Sequence, residues 1–259
     1  MTKELNAGER RNLFNYVVRI ADDSLILGHR LSEWCGHAPI LEEDIALANI
    51  ALDCIGQANA FLKLASEIEG TGRSEDDLAF FREAVEFKNL LLVEQPNQNF
   101  AVTIVRQFFM DVFKSIYFDR LRVCSFKPLA DISEKAIKET AYHLRHSRNW
   151  LLRLGDGTEE SNKKTQDAVF ELWRFIPEIF NDDEVDNFIK EHYNTPLLNE
   201  IETEWFNIIK SNFNEAGLIV PEISKRVVMN GRKGIHSEHL GHLLAEMQIT
   251  ARSFPGAKW

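Results

Sequence analysis

The chain has 259 residues, of which 44% are hydrophobic and 27% charged, a balance of ordinary globular proteins that excludes disordered and fibrous classes. Lys and Arg total 30 against 40 Asp and Glu, a formal charge of −10, and that excess of carboxylates makes nucleic acid a poor partner. Cys35, Cys54 and Cys124 form no C-x-x-C pair, so no zinc ribbon or thioredoxin-type site is indicated, and reduced cytosolic thiols are the plain reading.

Residues 1–11 are polar and lack an apolar stretch, so no secretory signal is read and a cytoplasmic location is expected. The spacing predicts a first helix over about Arg11–Trp34, with Leu13, Val17, Ile20, Leu27 and Leu31 at threes and fours and Gly36 closing it. A second runs from Pro39 to Gly70, opening on Glu42, Glu43 and Asp44, which suit the positive end of the helix dipole. Inside it, Ile45–Leu62 holds one charge, Asp53, over nearly the length of a membrane span. Asn49, Gly56, Gln57 and Asn59 would be penalised by lipid, so a central core helix is expected and no membrane partner.

A third helix is predicted over Ser74–Lys88, followed by a Leu-rich stretch broken at Gln95, Pro96 and Asn97. A fourth spans Asn99–Ser125, and a fifth opens after Pro128 and closes at Gly155. Four helices of more than twenty residues are the pattern of an all-α, antiparallel four-helix bundle. Additional C-terminal helices follow over Lys163–Phe180, Asp182–Tyr193, Pro196–Glu215 and Ser237–Ser253, and residues 1–259 read as one helical domain.

Between the last two lies an irregular segment, Gly217–Ile235, with Lys225, Arg226 and the run Gly231-Arg232-Lys233-Gly234. It lacks the spacing of a phosphate-binding loop, so a solvated loop or partner contact is expected. On the fourth helix, Phe100, Phe108, Phe109, Phe113, Phe118 and Leu121 encircle the axis too completely for one core stripe. Part of that surface is expected to face another protein, unless a C-terminal helix covers it.

A bundle with acids on its inner faces raises the di-metal carboxylate site, which draws a Glu from each of two helices and Glu-x-x-His from each of the others. No long helix here contains Glu-x-x-His. Asp53 is followed at i+3 by Gly56, and Glu139 by Tyr142, with His143 at i+4; Asp111 sits among phenylalanines, and Asp22, Asp23 and Glu33 lie on the first helix. The carboxylates therefore look like a metal site without its nitrogen ligands. Asp53 and Glu139 are expected as structural buried acids, satisfied by a hydrogen bond or by Lys114 or Lys138.

Two groupings leave a cation open, Glu139 with His143 and His146, and His239 with His242 and Glu246 on the last helix. For the latter, which also carries His236 and Glu238, a polar face meeting another subunit is the simpler expectation. No nucleophile elbow or dinucleotide fingerprint is present.

Five separated segments carry a resemblance: Trp34-Cys35-Gly36-His37-Ala38-Pro39, Asn89 through Asn97, Ala136-Ile137-Lys138-Glu139 through Gly155, Leu172-Trp173-Arg174-Phe175, and Gly234 through Gly241. In this order they resemble the PaaC family of subunits of the multicomponent ring 1,2-phenylacetyl-CoA epoxidase, over nearly the whole chain. The resemblance implies a ferritin-like fold and a structural, non-catalytic subunit of a monooxygenase complex for phenylacetate catabolism, an aromatic degradation pathway. It also implies a hetero-oligomer with a homologous catalytic subunit, which holds the di-iron centre, together with other components of the complex, and no cofactor in this chain. The competing reading is a self-sufficient di-metal oxidase using Asp53, Asp111, Glu139 and His143. A third is a helical binding protein without an oxygenase connection.

Overall fold

A computed structural model of the chain describes residues 6–222 and 230–257. Among these residues the secondary structure is helical and contains no strand. Four long helices dominate: α1 (Ala7–Ser32), α2 (Leu41–Glu69), α5 (Phe100–Leu121) and α6 (Lys127–Gly155). Between α2 and α5 lie two short helices, α3 (Glu75–Phe80) and α4 (Leu91–Glu94). After α6 come α7 (Glu159–Trp173), α8 (Ile176–Ile179), α9 (Glu184–Tyr193), α10 (Asn199–Glu215) and α11 (Glu238–Ser253).

Local chemistry sets the ends of these helices. Asn6 and Glu9 form a capping box at the start of α1, and α2 stops at Gly70, whose φ of 68° is the left-handed region that glycine enters without penalty. Pro39 stands two residues ahead of α2 rather than within its first turn, because Ile40 is the extended capping residue. The predicted third helix breaks after Phe80: Ala84–Glu86 make only one tight 3-10 turn.

Hydrogen bonds between helices give the topology. Along α1 and the turn after it, Tyr16, Ser24 and Trp34 meet Tyr117, Lys114 and Thr103 of α5, so these two helices run antiparallel. Glu43, Asp53 and Gln57 of α2 meet His146, His143 and Glu139 of α6 in the same reversed order. With α1–α2 and α5–α6 each joined by a short loop, the residues between Gly70 and Asn99 form one long crossover, as in ferritin-like bundles.

The crossover is fastened to α1 by two adjacent buried acids. Asp22 pairs with Arg82 and accepts the Lys88 amide at 2.7 Å, and Asp23 accepts the Leu90 amide at 2.7 Å. Asp23 also binds the Arg232 guanidinium at 2.7 and 3.1 Å. The basic run is therefore only in part a solvated loop: Lys233 is exposed, but Arg232 is a largely buried counter-ion and the Gly231 amide donates to Glu178. A Cβ on Gly231 would fall 2.0 Å from the Asn89 carbonyl oxygen, which is why glycine stands there. Lys225 and Arg226 lie outside the described residues.

A second lock holds the start of α11. Glu94, fully buried, accepts from Asn89, from the Ser237 amide and from His236, whose other ring nitrogen faces the Phe87 carbonyl at 3.0 Å. A carboxylate on one side and a carbonyl on the other both favour the ring with a proton on each nitrogen. Burial pulls its pKa down, but Glu94 outweighs it and the net shift is upward.

The phenylalanines of α5 face inward or are covered within the chain, which corrects the expectation of a partner there. Phe109 packs on Trp173 of α7 and on Trp205 and Phe213 of α10, and the Trp205 indole donates to the Phe109 carbonyl at 3.1 Å. Phe118 stacks on Phe61 of α2. The C-terminal helices thus supply the apolar surface that encloses α5. Helix α2, by contrast, is not enclosed, and Leu41, Ile45 and Leu52 are 72, 56 and 66% exposed. By length and composition it is the one described helix that passes for a membrane span, yet its other face is core.

Arg232→Ala should lower unfolding free energy by about 3–5 kcal/mol at neutral pH, because Asp23 would be left as a buried charge without its counter-ion, held only by the Leu90 amide. Urea denaturation at pH 7.5 and 5 measures this, with a smaller deficit expected at pH 5, where the stranded carboxyl takes a proton.

Candidate functional site: the polar centre of the bundle

Each of the four long helices sends polar side chains into the middle of an otherwise apolar core. The central group is the Lys114 ammonium of α5, which is 3% exposed. It donates to Ser24 Oγ of α1 at 3.0 Å and lies 3.4 Å from Gln57 Oε1 of α2. The Gln57 amide nitrogen then donates to Glu139 Oε2 of α6 at 2.9 Å. One turn before Lys114, Asp111 accepts from Gln107 of its own helix and from Ser147 of α6, both at 2.7 Å.

At the outer edge of the α2–α6 seam, half-exposed Asp53 meets His143 Nε2 at 3.0 Å, while His143 itself is buried. Its Nδ1 has no hydrogen-bond partner, and burial lowers its pKa despite the Asp53 contact. A third contact along the seam joins Glu43 and His146 at 2.8 Å.

The acids do not share one environment. Burial pushes Asp111 up to about 7, against the hydrogen bond from Ser147 and the charge of Lys114. Burial likewise pushes the Cys54 thiol up to about 11, with Lys114 opposing, which makes it a poor nucleophile at neutral pH. Among the described residues Cys35, Cys54 and Cys124 are free thiols.

The residues present do not suit a pair of metal ions. Asp53, Asp111 and Glu139 each serve a different partner, and no three His, Cys, Asp or Glu among the described residues converge as ligands. Lys114 places a fixed cation in the interior, next to the carboxylates that such ions would use.

A family model described as phenylacetic acid catabolic protein matches residues 1–259. The chain belongs to that family. Within it, the chain is 50% identical over 244 residues to the C subunit of 1,2-phenylacetyl-CoA epoxidase from Escherichia coli (strain K12), covering 94% of this chain and 98% of that one.

In this member of the phenylacetic acid catabolic family, the i+3 arithmetic places two residues wrongly. Gly56 faces outward, where an added methyl group would meet nothing within 4 Å, and the inward residue is Gln57. Tyr142 is likewise exposed, and its neighbour His143 turns inward. Asp53 and Glu139 are half-buried at the seam, not deeply buried, and their partners are His143 and Gln57 in place of Lys114 or Lys138. Lys138 is exposed. On α11, His242 and Glu246 are exposed and do not gather with His239 into a ligand group.

Sequence reasoning treats Lys114 only as a counter-ion and misses Gln57, Ser24 and Ser147. A lysine amid Phe108–Phe118 with no charged neighbour within four residues except Asp111 is the available signal. Of the five resembling segments, Asn89–Asn97 is the end of the crossover and Gly234–Gly241 carries His236 onto Glu94.

The Asp111 carboxyl, raised above its unfolded value, binds its proton more tightly in the folded chain, so its contribution to stability is lost as pH rises from about 4 to about 7. Asp111→Asn should remove this slope, and the variant should gain on the wild type between pH 5 and pH 8 in urea titrations.

Proposed function

We propose that this chain is the non-catalytic, structural subunit of a phenylacetyl-CoA ring-epoxidising monooxygenase complex. It pairs in the cytoplasm with a homologous catalytic subunit that carries the di-iron centre, and it supports the iron-binding helices of that partner without contributing ligands. Family membership and the half-identical epoxidase subunit support the setting. The single observation that carries the non-catalytic role is Lys114: its ammonium is held by Ser24 and Gln57 inside the bundle, the interior that a di-metal site would have to share with it.

A cation fixed by the chain itself opposes the entry of others by Coulomb repulsion, which is strong where water is excluded. The three carboxylates along the seam, Asp53, Glu139 and Glu43, are committed to His143, Gln57 and His146, and Asp111 takes up a proton near neutrality. The self-sufficient oxidase reading would need Asp53, Asp111, Glu139 and His143 to converge, and they do not.

The purified chain should bind less than one equivalent of iron and consume no oxygen with phenylacetyl-CoA and a reductant. Mixed with the catalytic subunit, it should co-elute and restore turnover. Loading of two irons per chain with an oxygen-bridged absorption band would overturn the reading.

A further inference from the structure

We propose that the outward faces of α2 and α6 form one docking surface, and that its occupant is a helix of the partner bundle presenting an apolar seam flanked by carboxylates. This rests on the reading of the chain as a subunit. On α2 the exposed positions Ile45, Asn49, Leu52, Gly56, Asn59 and Lys63 recur at alternating fours and threes. That is the spacing with which two helices pack lengthwise at a shallow angle.

Gly56 is the notch in that seam. A glycine in a helix interior costs about 1 kcal/mol against alanine, and no neighbour within the chain requires it, since a Cβ there would meet nothing within 4 Å. A residue kept small without an internal reason suits a helix that approaches closely from outside.

Charge selects the occupant. The chain carries −10 overall, yet the flank of α6 beside this seam exposes Lys135, Lys138 and Arg145. None of the three has an ion pair among the described residues, and Arg145 lies over the ring of exposed Tyr142 at 5.6 Å. Carboxylates on the incoming helix would be their counter-charges. An anionic lipid surface also attracts cations and apolar side chains, but Asn49, Asn59 and the Gly56 notch in the middle of the seam suit a helix and not a hydrocarbon layer.

The test uses full-length Gly56→Trp and Leu52→Glu, with Lys138→Glu/Arg145→Glu as a third variant. Binding to the catalytic subunit is read by titration calorimetry and co-elution, alongside thermal melts of each chain alone. Melting that is not lowered, and is slightly raised for Gly56→Trp, with affinity weakened tenfold or more for the first two and a loss of salt-dependent affinity for the third, is the expected result. If the wild type binds the catalytic subunit and all three variants bind as tightly, the surface assignment is overturned while the structural role stands. If the wild type does not bind it, the structural role itself fails. Loss of a homodimer of this chain in place of the mixed complex, or sedimentation of the wild type with phosphatidylglycerol vesicles that Leu52→Glu abolishes, would show the wrong occupant and also overturn the proposal.

Discussion

An ammonium group inside a helical bundle has to be met by oxygen atoms, because an unpartnered charge in the interior costs several kcal/mol. Lys114 imposes that requirement on three other helices at once. Ser24 of α1 and Gln57 of α2 provide its oxygens, and Gln57 passes the contact on to Glu139 of α6. The long helices are thereby held in register by one buried charge and its polar relay. The same cation offsets the burial of Asp111 only in part, which leaves that carboxyl titrating near neutrality.

The periphery follows the same rule with guanidinium groups. Asp22 and Asp23 on α1 collect Arg82 from the crossover and Arg232 from the segment before α11. Arg19, one turn earlier, pairs with Asp183 and Asp186 at the start of α9. One face of α1 thus binds the crossover and the C-terminal third through buried ion pairs, while α7 and α10 close over α5 by aromatic packing. Polar ties fix where these segments sit, since each carboxylate accepts only a suitably placed donor; the apolar contacts supply the bulk of the burial.

Closing α5 from within shifts the question of partners to α2. Its outer face leaves Leu41, Ile45 and Leu52 exposed between polar positions, a surface that the chain itself does not use. The hydropathy of α2 taken alone suggests a helix buried all round, whereas only the side turned toward α1, α5 and α6 is buried.

The number, length and order of the long helices were legible in the sequence, because apolar residues at threes and fours and glycine or proline punctuation act locally. The absence of Glu-x-x-His was equally legible, being a fact of spacing. Which residue of a neighbouring pair turns inward was not: Gln57 rather than Gly56, and His143 rather than Tyr142, face the centre because helix rotation is set by packing against α1 and α5. Nor was the fate of Arg232, whose partner Asp23 lies 209 residues away. Local periodicity determines that a segment is a helix; only the assembled fold decides which of its faces meets the core, because burial and ion pairing depend on groups far away in the chain.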